Sequence, residues 1–517
     1  MRKISRALIS VSDKTGVAAF ASGLAAFGVE IVSTGGTAKL LREQGLRLKE
    51  VAEVTEFPEM LDGRVKTMHP KILGGILAVR SNSSHRAALE AHGIGCIDLV
   101  AVNLYPFEQT AAKPGVAFEE LIENIDIGGP SMIRSAAKNF EDVTVIVDAA
   151  DYATVLEEMK QNQGSVSYET RARLARKAFA TTASYDAAIS TTLQKLANGV
   201  LPENLHLSYR KYMDLRYGEN PHQKAALYRE GRAFGSGLAW AKQLQGKELS
   251  YNNLLDLDAA LRLVEEFTEP TTVIIKHTNP CGVATAATLH ESYERARDAD
   301  SQSAYGSVIS FNRVLDAATA ETMAPLFVEA VVAPGYEPKA LDRLASKRNL
   351  RLMELASGSG AGDEMELKKV SGGLLLQTRD RKSAEPEEWH CVTERKPTTE
   401  EQAALLFAWR VVKHVKSNAI VYARNGVTVG VGAGQMSRVD SVRVGAAKAR
   451  ELGHSLAGTV VASDAYFPFP DGVEEAAEAG ATALVQPGGS VRDAEVIAAA
   501  NRLNIAMLFT GIRHFRH

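Results

Sequence analysis

A lysine and a histidine stand side by side where a hydrophobic run of the chain ends. Lys276 and His277 directly follow residues 271–275, whose apolar and β-branched side chains predict a buried strand. A histidine can act as a base near neutral pH, and a neighbouring ammonium can stabilise an oxyanion or protonate a leaving nitrogen. The pair indicates acid–base chemistry on a weak nucleophile, although a single histidine in such a place is more often structural.

Two other junctions between a strand and a helix are rich in hydroxyl groups and glycine. Residues 10–14 and 33–37 each leave backbone N–H groups free at the start of a helix, where a phosphate can bind. One such junction is usually a simple turn, but two of them ahead of the basic residues 64–67 favour an anion site. We expect Arg64 and Lys66 to share one face of an extended strand.

Two further segments of the same region add groups that can move protons. Tyr105 comes at the carboxyl end of a predicted strand that starts at Ile97, which is where α/β proteins gather their ligand sites. Asp126 leads into a helix that carries Arg134 and Lys138 one turn apart on one face. Because anion binding needs cations more than a carboxylate, this combination argues for catalysis as well as binding.

The elements that must position these groups alternate between strands and helices. This alternation predicts a mostly parallel sheet covered by helices, which is a doubly wound α/β fold. The predicted strands are residues 7–12, 29–33, 97–105 and 143–147, and the first helices are residues 15–27 and 38–44.

A helical stretch at residues 168–197 is followed by a segment without periodicity. We therefore place a domain boundary near residue 200, which gives domains 1–199 and 200–517. The second domain is also predicted to be mixed α/β. Its clearest elements are strands at 271–275 and 419–423, a helix at 442–451 and a surface loop at 356–362.

The composition limits the class of protein. The chain has 517 residues, too many for one hydrophobic core, and its 59 Lys and Arg against 62 Asp and Glu give a net charge of −3. This balance argues against a nucleic-acid partner, and no apolar run approaches the roughly 18 residues of a membrane span. Three distant cysteines, Cys96, Cys281 and Cys391, suggest neither a disulfide framework nor a metal site, so we expect a cytoplasmic protein.

Taken together, the motifs resemble a family of bifunctional purine-synthesis enzymes. This family joins an aminoimidazole carboxamide ribonucleotide (AICAR) formyltransferase to an inosine monophosphate (IMP) cyclohydrolase. In the first domain the resemblance rests on residues 10–16, 33–37, 63–67, 103–107 and 126–130, in the family's order. In the second domain it rests on residues 215–223, 249–253, 276–282, 333–336, 417–418, 432–438, 463–469 and 511–517.

The resemblance implies a fold and a reaction for each domain. The N-terminal domain would be a methylglyoxal-synthase-like doubly wound parallel sheet, and the C-terminal domain a cytidine-deaminase-like α/β transformylase with a duplicated fold. The C-terminal domain would transfer a formyl group from 10-formyltetrahydrofolate to AICAR, and the N-terminal domain would close the product, formyl-AICAR (FAICAR), to IMP. No metal is required, and the family forms a homodimer whose transformylase site draws residues from both subunits.

The resemblance also gives roles to individual residues of the first domain. The nucleotide would be held, largely at its phosphate, by Ser12, Lys14, Ser33, Thr34, Gly36, Thr37, Arg64 and Thr67. The protons and the tetrahedral oxygen would be handled by Lys66, Tyr105, Asp126 and Lys138, without a distinction between acid and base.

In the second domain, Lys276 and His277 match the family's catalytic pair. Asn418 matches the residue that positions the carboxamide or stabilises an oxyanion. The nucleotide-binding positions would be Arg216, Tyr217, Asn253, Arg438 and Arg513, and the aromatic-rich loop beside the two substrates would contribute Tyr466, Phe469 and Asp471.

The sequence fits other functions less well. A zinc deaminase needs H-x-E or C-x-E followed by C-x-x-C, and the sequence contains neither pattern. Residues 430–434 lack the glycine spacing of a dinucleotide-binding loop. A non-catalytic nucleotide sensor stays open for the first domain, and a test of ring closure by residues 1–199 would distinguish the two.

Overall fold

A computed structural model of the chain describes most of its length. Two compact units separate between Tyr209 and Arg210, and Arg210–Arg229 belongs with the second unit. The boundary predicted at residue 200 and most of the loop predicted at 356–362 lie outside the described residues. The residues that the structure describes are 1–61, 63–196, 201–230, 237–356, 365–383 and 386–517.

The first unit is built on a parallel sheet. Its strands are β1 (Arg2–Lys3), β2 (Arg6–Val11), β3 (Glu30–Ser33), β4 (Lys49–Glu50), β5 (Leu99–Asn103), β6 (Thr144–Ile146) and β7 (Ser165–Val166). The main sheet has the order β4-β3-β2-β5-β6 with parallel pairing throughout, while β1 and β7 form a small antiparallel pair. The strand order reverses beside β2, so the crevice between β2 and β5 is a topological switch point where α/β proteins bind ligands.

Helices cover this sheet, and the apolar faces of most of them form a core with its strands, while Phe107, Leu121 and Tyr185 form a separate small cluster. They are α1 (Val17–Ala26), α2 (Gly35–Glu43), α3 (Val51–Thr55), α4 (Pro70–Leu77), α5 (Ser83–Ala91), α6 (Phe107–Ala111), α7 (Phe118–Glu123), α8 (Gly128–Lys138), α9 (Tyr152–Gln161) and α10 (Tyr168–Leu196). The predicted doubly wound parallel fold is confirmed, with element ends shifted by a few residues.

One local prediction for this unit is wrong. Arg64 and Lys66 do not share a face of an extended strand, because the chain reverses at Gly63. Gly63 has a φ of 90°, which glycine adopts readily, and a bridge between Met60 and Val65 closes the turn. The two basic side chains therefore have different neighbours. Arg64 pairs with Glu123, and Lys66 lies near Glu59.

The second unit contains a large mixed sheet and two hairpins. Its strands are β8 (Tyr209–Leu215), β9 (Ala225–Glu230), β10 (Lys242–Gln245), β11 (Thr271–Lys276), β12 (Asn279–Thr285), β13 (Ser307–Phe311), β14 (Val328–Ala333), β15 (Arg351–Glu354), β16 (Met365–Val370), β17 (Gly373–Thr378), β18 (His390–Cys391), β19 (Ile420–Arg424), β20 (Val427–Gly432), β21 (Thr459–Ser463), β22 (Ala481–Gln486) and β23 (Ala506–Phe509). The pairs β8–β9 and β16–β17 stand apart from the large sheet.

Helices pack on the large sheet and bury its mostly aliphatic strands. They are α11 (Tyr251–Val264), α12 (Leu289–Ala299), α13 (Ala317–Met323), α14 (Pro338–Leu344), α15 (Thr399–Val412), α16 (Arg438–Glu451), α17 (Asp471–Ala479) and α18 (Asp493–Arg502). In the described part of the chain, no helix is both long and apolar enough to cross a membrane.

The large sheet consists of two copies of one pattern. Its order is β10-β15-β14-β13-β11-β12 followed by β20-β19-β21-β22-β23-β18, so each half repeats the same succession of strands in mirror order along the sheet. In both halves a central antiparallel hairpin adjoins three parallel strands. Strands β12 and β20 join the halves at the pair Ala284 and Val427. The expected duplication of the fold is confirmed.

The strand register matches the halves residue by residue. Thr272 pairs with Phe311 in the first half, and Ile420 pairs with Ser463 in the second. From these pairs the hairpin turns coincide without a gap and the strand ends agree to within one residue. The segment that leads to α16 is one residue longer than the one that leads to α12, and each helix begins directly after a hydroxyl N-cap, Thr288 or Ser437. The equivalent pairs include His277 and Asn425, Thr278 and Gly426, Leu289 and Arg438, and Asn312 and Asp464.

Candidate active sites

The carboxyl ends of β2 and β3 collect most of the predicted phosphate-binding residues of the first unit. Ser12 and Lys14 follow β2, and Thr34 is the N-cap of α2. Gly36 and Thr37 lie in the first turn of the same helix. Since β2 and β3 are parallel neighbours, all of these groups lie at one edge of the sheet, beside the switch point.

Lys14 is fixed at this edge by hydrogen bonds. Its ammonium donates to Thr37 Oγ1 at 2.8 Å and to the carbonyl of Val11, and Thr37 Oγ1 also bonds to the backbone of Val11. Burial lowers the pKa of Lys14, and the nearby charge of Lys66 lowers it further. Two ammonium groups close enough to repel each other favour an anion between them.

The hydroxyl groups at this edge differ in their availability. Ser33 is fully buried, and its Oγ donates to the carbonyl of Ile9 at 2.7 Å, so the sheet itself uses this hydroxyl. Thr34 Oγ1 shares a 2.8 Å hydrogen bond with Ser10 Oγ. The N–H of Ser12 donates to Asn103 Oδ1 at 2.5 Å. Asn103 belongs to the motif at residues 103–107, but its residue type alone gave no indication of this role.

A second group of side chains surrounds Asp126, just before α8. The N–H of Asp126 donates to the hydroxyl of Tyr185 at 2.8 Å, and the N–H of Gly129 donates to Asp126 Oδ1 at 2.8 Å. Burial raises the pKa of Asp126, while hydrogen bonds from the backbone of Gly129 and Tyr105 and the charge of Lys66 oppose the rise. The pKa of Tyr105 is raised by burial and by Asp126. Tyr185 lies in a long helix whose sequence pattern gave no signal of a role.

Lys66 lies between the two groups. A Cβ added at Gly35 would lie 3.9 Å from Lys66 Nζ, which places this ammonium beside the start of α2. Lys66 Nζ is also 3.9 Å from Glu59 Oε1. Because the charge of Lys66 lowers the pKa of both Lys14 and Asp126, it links the anion-binding edge to the carboxylate.

Three other predicted residues of this unit lie in different surroundings. Thr67 is buried, and a Cβ added at Gly128 would lie 2.8 Å from its Oγ1, so its hydroxyl faces the start of α8. Arg64 is exposed and forms its ion pair with Glu123. Lys138 ends α8, about 15 Å along the axis from Gly128, so the structure does not bring Lys138 to Asp126.

In the second unit, the turn between β11 and β12 presents His277. His277 and Thr278 have φ values of 52° and 62°, both in the left-handed region. Asp256 on α11 holds this turn, since Asp256 Oδ1 accepts the N–H of Thr278 at 2.7 Å. Burial raises the pKa of Asp256, and the backbone bonds from Thr278 and His277 oppose the rise. The imidazole of His277 is exposed, and nothing in the sequence had pointed to Asp256.

Lys276 lies one residue earlier, at the end of β11. Its half-buried ammonium donates to the carbonyl of Tyr305 at 2.7 Å. The side chain therefore has a fixed anchor while it keeps two further N–H donors.

The seam between the two halves links this turn to the segment that leads into Asn418. Asn279 Oδ1, at the start of β12, accepts the N–H of Lys416 at 3.0 Å, and Lys416 lies two residues before Asn418. The histidine turn comes from the first half of the sheet and Asn418 from the second. The duplicated fold thus assembles a site at the junction of its two copies.

The side-chain amide of Asn418 is held on both sides. Asn418 Nδ2 donates to the carbonyl of Gln435 at 3.0 Å, and Asn418 Oδ1 accepts from Arg438 Nη2 at 2.8 Å. Arg438 is buried, and its Nη1 donates to Ser463 Oγ at 2.7 Å and to Asp464 Oδ1. The structure therefore places Arg438 behind Asn418, with both Nη atoms committed to protein groups.

The remaining predicted residues have contacts of their own. Asn253 lies in the first turn of α11 and forms a capping box with the N-cap Ser250, since its Oδ1 accepts the N–H of Ser250 at 3.1 Å and the hydroxyl of Ser250 at 2.9 Å. The guanidinium of Arg216 lies 5.4 Å from the ring centre of Tyr217 in the β8–β9 hairpin. None of their described contacts reaches His277.

The aromatic-rich loop follows β21. Tyr466 and Phe469 are exposed, and Arg492 lies 4.8 Å from the ring centre of Phe469. Asp471 is the first residue of α17, and its Oδ1 accepts the N–H of Gly472 at 2.7 Å. Near the chain end, Arg513 lies 4.3 Å from the ring centre of Phe515. Among the described residues, no three His, Cys, Asp or Glu side chains form a group that could hold a metal ion.

Comparisons with known proteins give two family matches. The family model described as "AICARFT/IMPCHase bienzyme" matches residues 136–448, which is more than half of the chain. The model described as "MGS-like domain" matches residues 16–131. A solved structure titled "Crystal structure of ForH" is 37% identical over a match that covers 37% of this chain and 99% of that chain, with a TM-score of 0.34.

Proposed function

Since the chain belongs to the AICARFT/IMPCHase bienzyme family, a formyltransferase joined to a cyclohydrolase of purine biosynthesis, we propose that it catalyses the last two steps of IMP synthesis. The second unit transfers a formyl group from 10-formyltetrahydrofolate to AICAR. The first unit closes FAICAR to IMP with loss of water. The proposed domains are residues 1–199 and 200–517.

Formyl transfer needs a base, because the lone pair of the AICAR amine is delocalised into the imidazole ring. His277 takes the amine proton as the nitrogen attacks the formyl carbon, and such a positioned base contributes roughly 10²–10⁴-fold. Lys276 stabilises the oxyanion of the tetrahedral intermediate. The bond from carbon to the folate nitrogen then breaks, and that nitrogen takes a proton, which gives tetrahydrofolate and FAICAR.

Asn418 orients the carboxamide of AICAR. Two protein contacts use one N–H and one lone pair of its side-chain amide, so a second N–H and a second lone pair are left for substrate. An amide with one free donor and one free acceptor is complementary to the carboxamide group. Tyr466 and Phe469 offer exposed rings for the flat pterin of the folate.

Ring closure uses the group around Asp126 in the first unit. The nucleotide phosphate binds at the edge with Lys14 and Thr37, which holds the carboxamide nitrogen close to the formyl carbon and makes positioning a large part of the catalysis. Asp126, whose raised pKa suits proton transfer, takes a proton from that nitrogen. Lys66 stabilises the tetrahedral oxygen, and Tyr105 helps the hydroxyl leave as water.

The family resemblance also supports a wider proposal. The protein acts in the cytoplasm as a homodimer, and a second subunit completes the transformylase site. Coupling the two reactions has a thermodynamic reason: if formyl transfer to a weak amine is nearly balanced, ring closure that removes FAICAR draws it forward.

The observation that carries the proposal is the hydrogen bond between Asn279 and Lys416, which links the segment of His277 to the segment of Asn418 across the seam of the duplicated sheet. The test mixes the protein with AICAR and 10-formyltetrahydrofolate and follows tetrahydrofolate and IMP by chromatography. We expect equal amounts of both products.

Variants assign each reaction to its site. His277→Ala should abolish both products from AICAR and still convert added FAICAR to IMP. Lys66→Ala should leave FAICAR behind. Asn425→Ala changes the equivalent turn of the other half and should leave both reactions unchanged.

The contrary outcomes are distinct. Failure to form tetrahydrofolate would contradict the formyl-transfer step or its donor. A first unit that binds FAICAR and leaves it unchanged would be a nucleotide sensor.

A further inference from the structure

We infer that Asp464 is a positioning residue for formyl transfer, which orients Asn418 through Arg438 and through the backbone on either side of Asn418. The inference rests on the proposed function and deepens it, because it explains how the second half of the sheet prepares its part of the site. Asp464 lies in the segment 463–469 that the family resemblance rests on, and it had been given no role.

The carboxylate of Asp464 is fully buried and holds the residues that flank Asn418. Its Oδ1 accepts the N–H of Ala419 at 3.1 Å, and its Oδ2 accepts the hydroxyl of Ser417. The N–H of Asp464 donates to the carbonyl of Ala419 at 3.3 Å. The backbone before and after Asn418 is thus tied to one side chain.

Arg438 carries the same constraint to the side chain of Asn418. Arg438 Nη1 donates to Asp464 Oδ1, and Arg438 Nη2 donates to Asn418 Oδ1 at 2.8 Å. Because the guanidinium is planar and rigid, fixing Nη1 on the carboxylate also fixes the direction of Nη2. The amide oxygen of Asn418 therefore faces the arginine. The second N–H of the Asn418 amide is free for substrate.

The equivalent position in the other half of the sheet shows which contacts the fold itself requires. Asn312 is the equivalent of Asp464, and its Oδ1 accepts the N–H of Thr271 at 2.9 Å, as Asp464 accepts that of Ala419. Asn312 Nδ2 donates to the carbonyls of Phe267 and Glu269 at 3.0 and 2.7 Å. An uncharged amide is therefore sufficient to hold the start of the central strand.

What differs between the halves is the partner on the neighbouring helix. Leu289 starts α12 where Arg438 starts α16. A negative charge at this place is needed only where it faces a buried guanidinium. The pair Arg438 and Asp464 is therefore a feature of the half that holds Asn418, and not a requirement of the fold.

The test is the variant Asp464→Asn, which places at this position the residue type that the other half already uses. We expect kcat for formyl transfer to fall about 100-fold, as is typical when a reacting group is misplaced by about 1 Å, with a raised KM for AICAR. Conversion of added FAICAR to IMP by the same preparation should be unchanged, because that reaction uses the first unit.

Asn312→Ala is the matched control. It removes the strand-start contacts in the half that lacks the arginine, so it should lower the unfolding temperature at least as much as Asp464→Asn does, while kcat and KM for formyl transfer stay at wild-type values. If Asp464→Asn has wild-type kinetics, or loses activity only in proportion to its loss of folded protein, the inference is wrong.

A double-mutant cycle tests the route through Arg438. Because part of the effect of Asp464 passes through this arginine, the double variant Arg438→Leu/Asp464→Asn should lose less activity than the losses of the two single variants multiplied together. Fully additive losses would overturn this route. A wild-type protein that forms no tetrahydrofolate from AICAR would overturn the proposed function and this inference together, whereas an active wild type with an equally active Asp464→Asn overturns the inference alone.

Discussion

His277 occupies in the β11–β12 turn the position that Asn425 occupies in the β19–β20 turn. Each is followed by a residue with positive φ, which is Thr278 at 62° in the first turn and Gly426 at 70° in the second. Asn-Gly is the preferred sequence for a two-residue turn of this kind, whereas the β-branched side chain of threonine disfavours it. The half with the proposed catalytic pair thus departs from the turn sequence that the fold itself prefers.

Replacement of Thr278 by glycine should stabilise the protein. The left-handed conformation costs a residue other than glycine on the order of 1–2 kcal/mol, so Thr278→Gly should raise the free energy of unfolding of the second unit by about 1 kcal/mol. Urea unfolding of the full chain, followed by a probe in the second unit, measures the change.

The opposite exchange in the other half is the control. Gly426→Thr should destabilise the protein by more than Thr278→Gly stabilises it, because a Cβ at residue 426 would also lie 2.5 Å from Thr285 Oγ1. A Thr278→Gly variant that is no more stable than wild type would show that the turn holds no strain.

Local pattern was enough to predict the elements of the first unit and the edge where its ligand groups meet. Hydrophobic runs marked β2 and β3, and the glycines and hydroxyls after them marked the start of α2. The segment around Arg64 was predicted wrongly, since one glycine with positive φ reverses the chain there. Pattern predicts elements well and fails where a single residue changes the direction of the backbone.

Partners that are distant in sequence could not be predicted. The duplication of the second unit was expected only from the family resemblance, and the strand order shows it directly, whereas the residues gave no repeat that could be read from the sequence. Asp464 and Arg438 are 26 residues apart, and their hydrogen bond depends on the fold bringing the residue after β21 to the start of α16. Likewise, Lys138 follows Asp126 closely in the chain, yet α8 carries it to the far end of the helix.

The raised pKa of Asp126 predicts that its carboxylate reduces stability at neutral pH. Burial raises this pKa above the usual value near 3.9, so the folded state holds the proton more tightly than the unfolded chain does. Stability is therefore lost as pH rises from the unfolded pKa through the folded one. Asp126→Asn should be more stable than wild type at pH 7, and this advantage should disappear as pH falls toward 4.

Thermal unfolding of both proteins at pH 7 and pH 4 measures this difference, and FAICAR conversion checks the chemistry. Ring closure should be lost in Asp126→Asn although the protein is more stable. An advantage that grows on acidification would mean that the carboxylate is stabilised by folding, against the direction predicted here.

His414 predicts a second pH dependence, in the second unit. Its Nε2 donates to Glu266 Oε1 at 2.8 Å, and its Nδ1 accepts from Arg516 Nη1 at 3.2 Å, so the ring is neutral. Burial lowers the pKa of His414 to about 4, and the charges of Arg516 and Lys413 act in the same direction while Glu266 opposes them. The unfolded chain takes a proton near pH 6.5 that the folded chain takes only near pH 4.

Stability should therefore fall as the pH drops from 6.5 toward 4. His414→Gln keeps one donor and one acceptor but cannot titrate, so its stability should change less over this interval. Urea unfolding at pH 7, 6 and 5 compares the two slopes. Equal slopes of stability against pH in the two proteins would show that other groups cause the acid sensitivity. The pKa of Glu266 is lowered to about 2 in the folded protein, so Glu266 reduces stability only as the pH falls below its unfolded pKa near 4.3.

Gly129 tests whether the position of Asp126 controls ring closure. The N–H of Gly129 donates to Asp126 Oδ1, and a Cβ at residue 129 would lie 2.4 Å from Asp126 Oδ2 and 2.8 Å from Leu104 Cδ2. Gly129→Ala must therefore displace the carboxylate, and conversion of FAICAR to IMP should fall about 100-fold. Formyl transfer should be unaffected, because the second unit carries it.

The matched control for this variant is Gly74→Ala in α4. A Cβ at residue 74 would have its nearest contact at 3.4 Å, an ordinary packing distance, so both reactions should keep their rates. If Gly129→Ala closes the ring at the wild-type rate, the rate of ring closure by Asp126→Asn distinguishes between two explanations. An inactive Asp126→Asn would mean that the carboxylate yields to the methyl group without losing its role, whereas an active one would remove Asp126 from the chemistry and leave Lys66 and Tyr105 as the groups that move the protons.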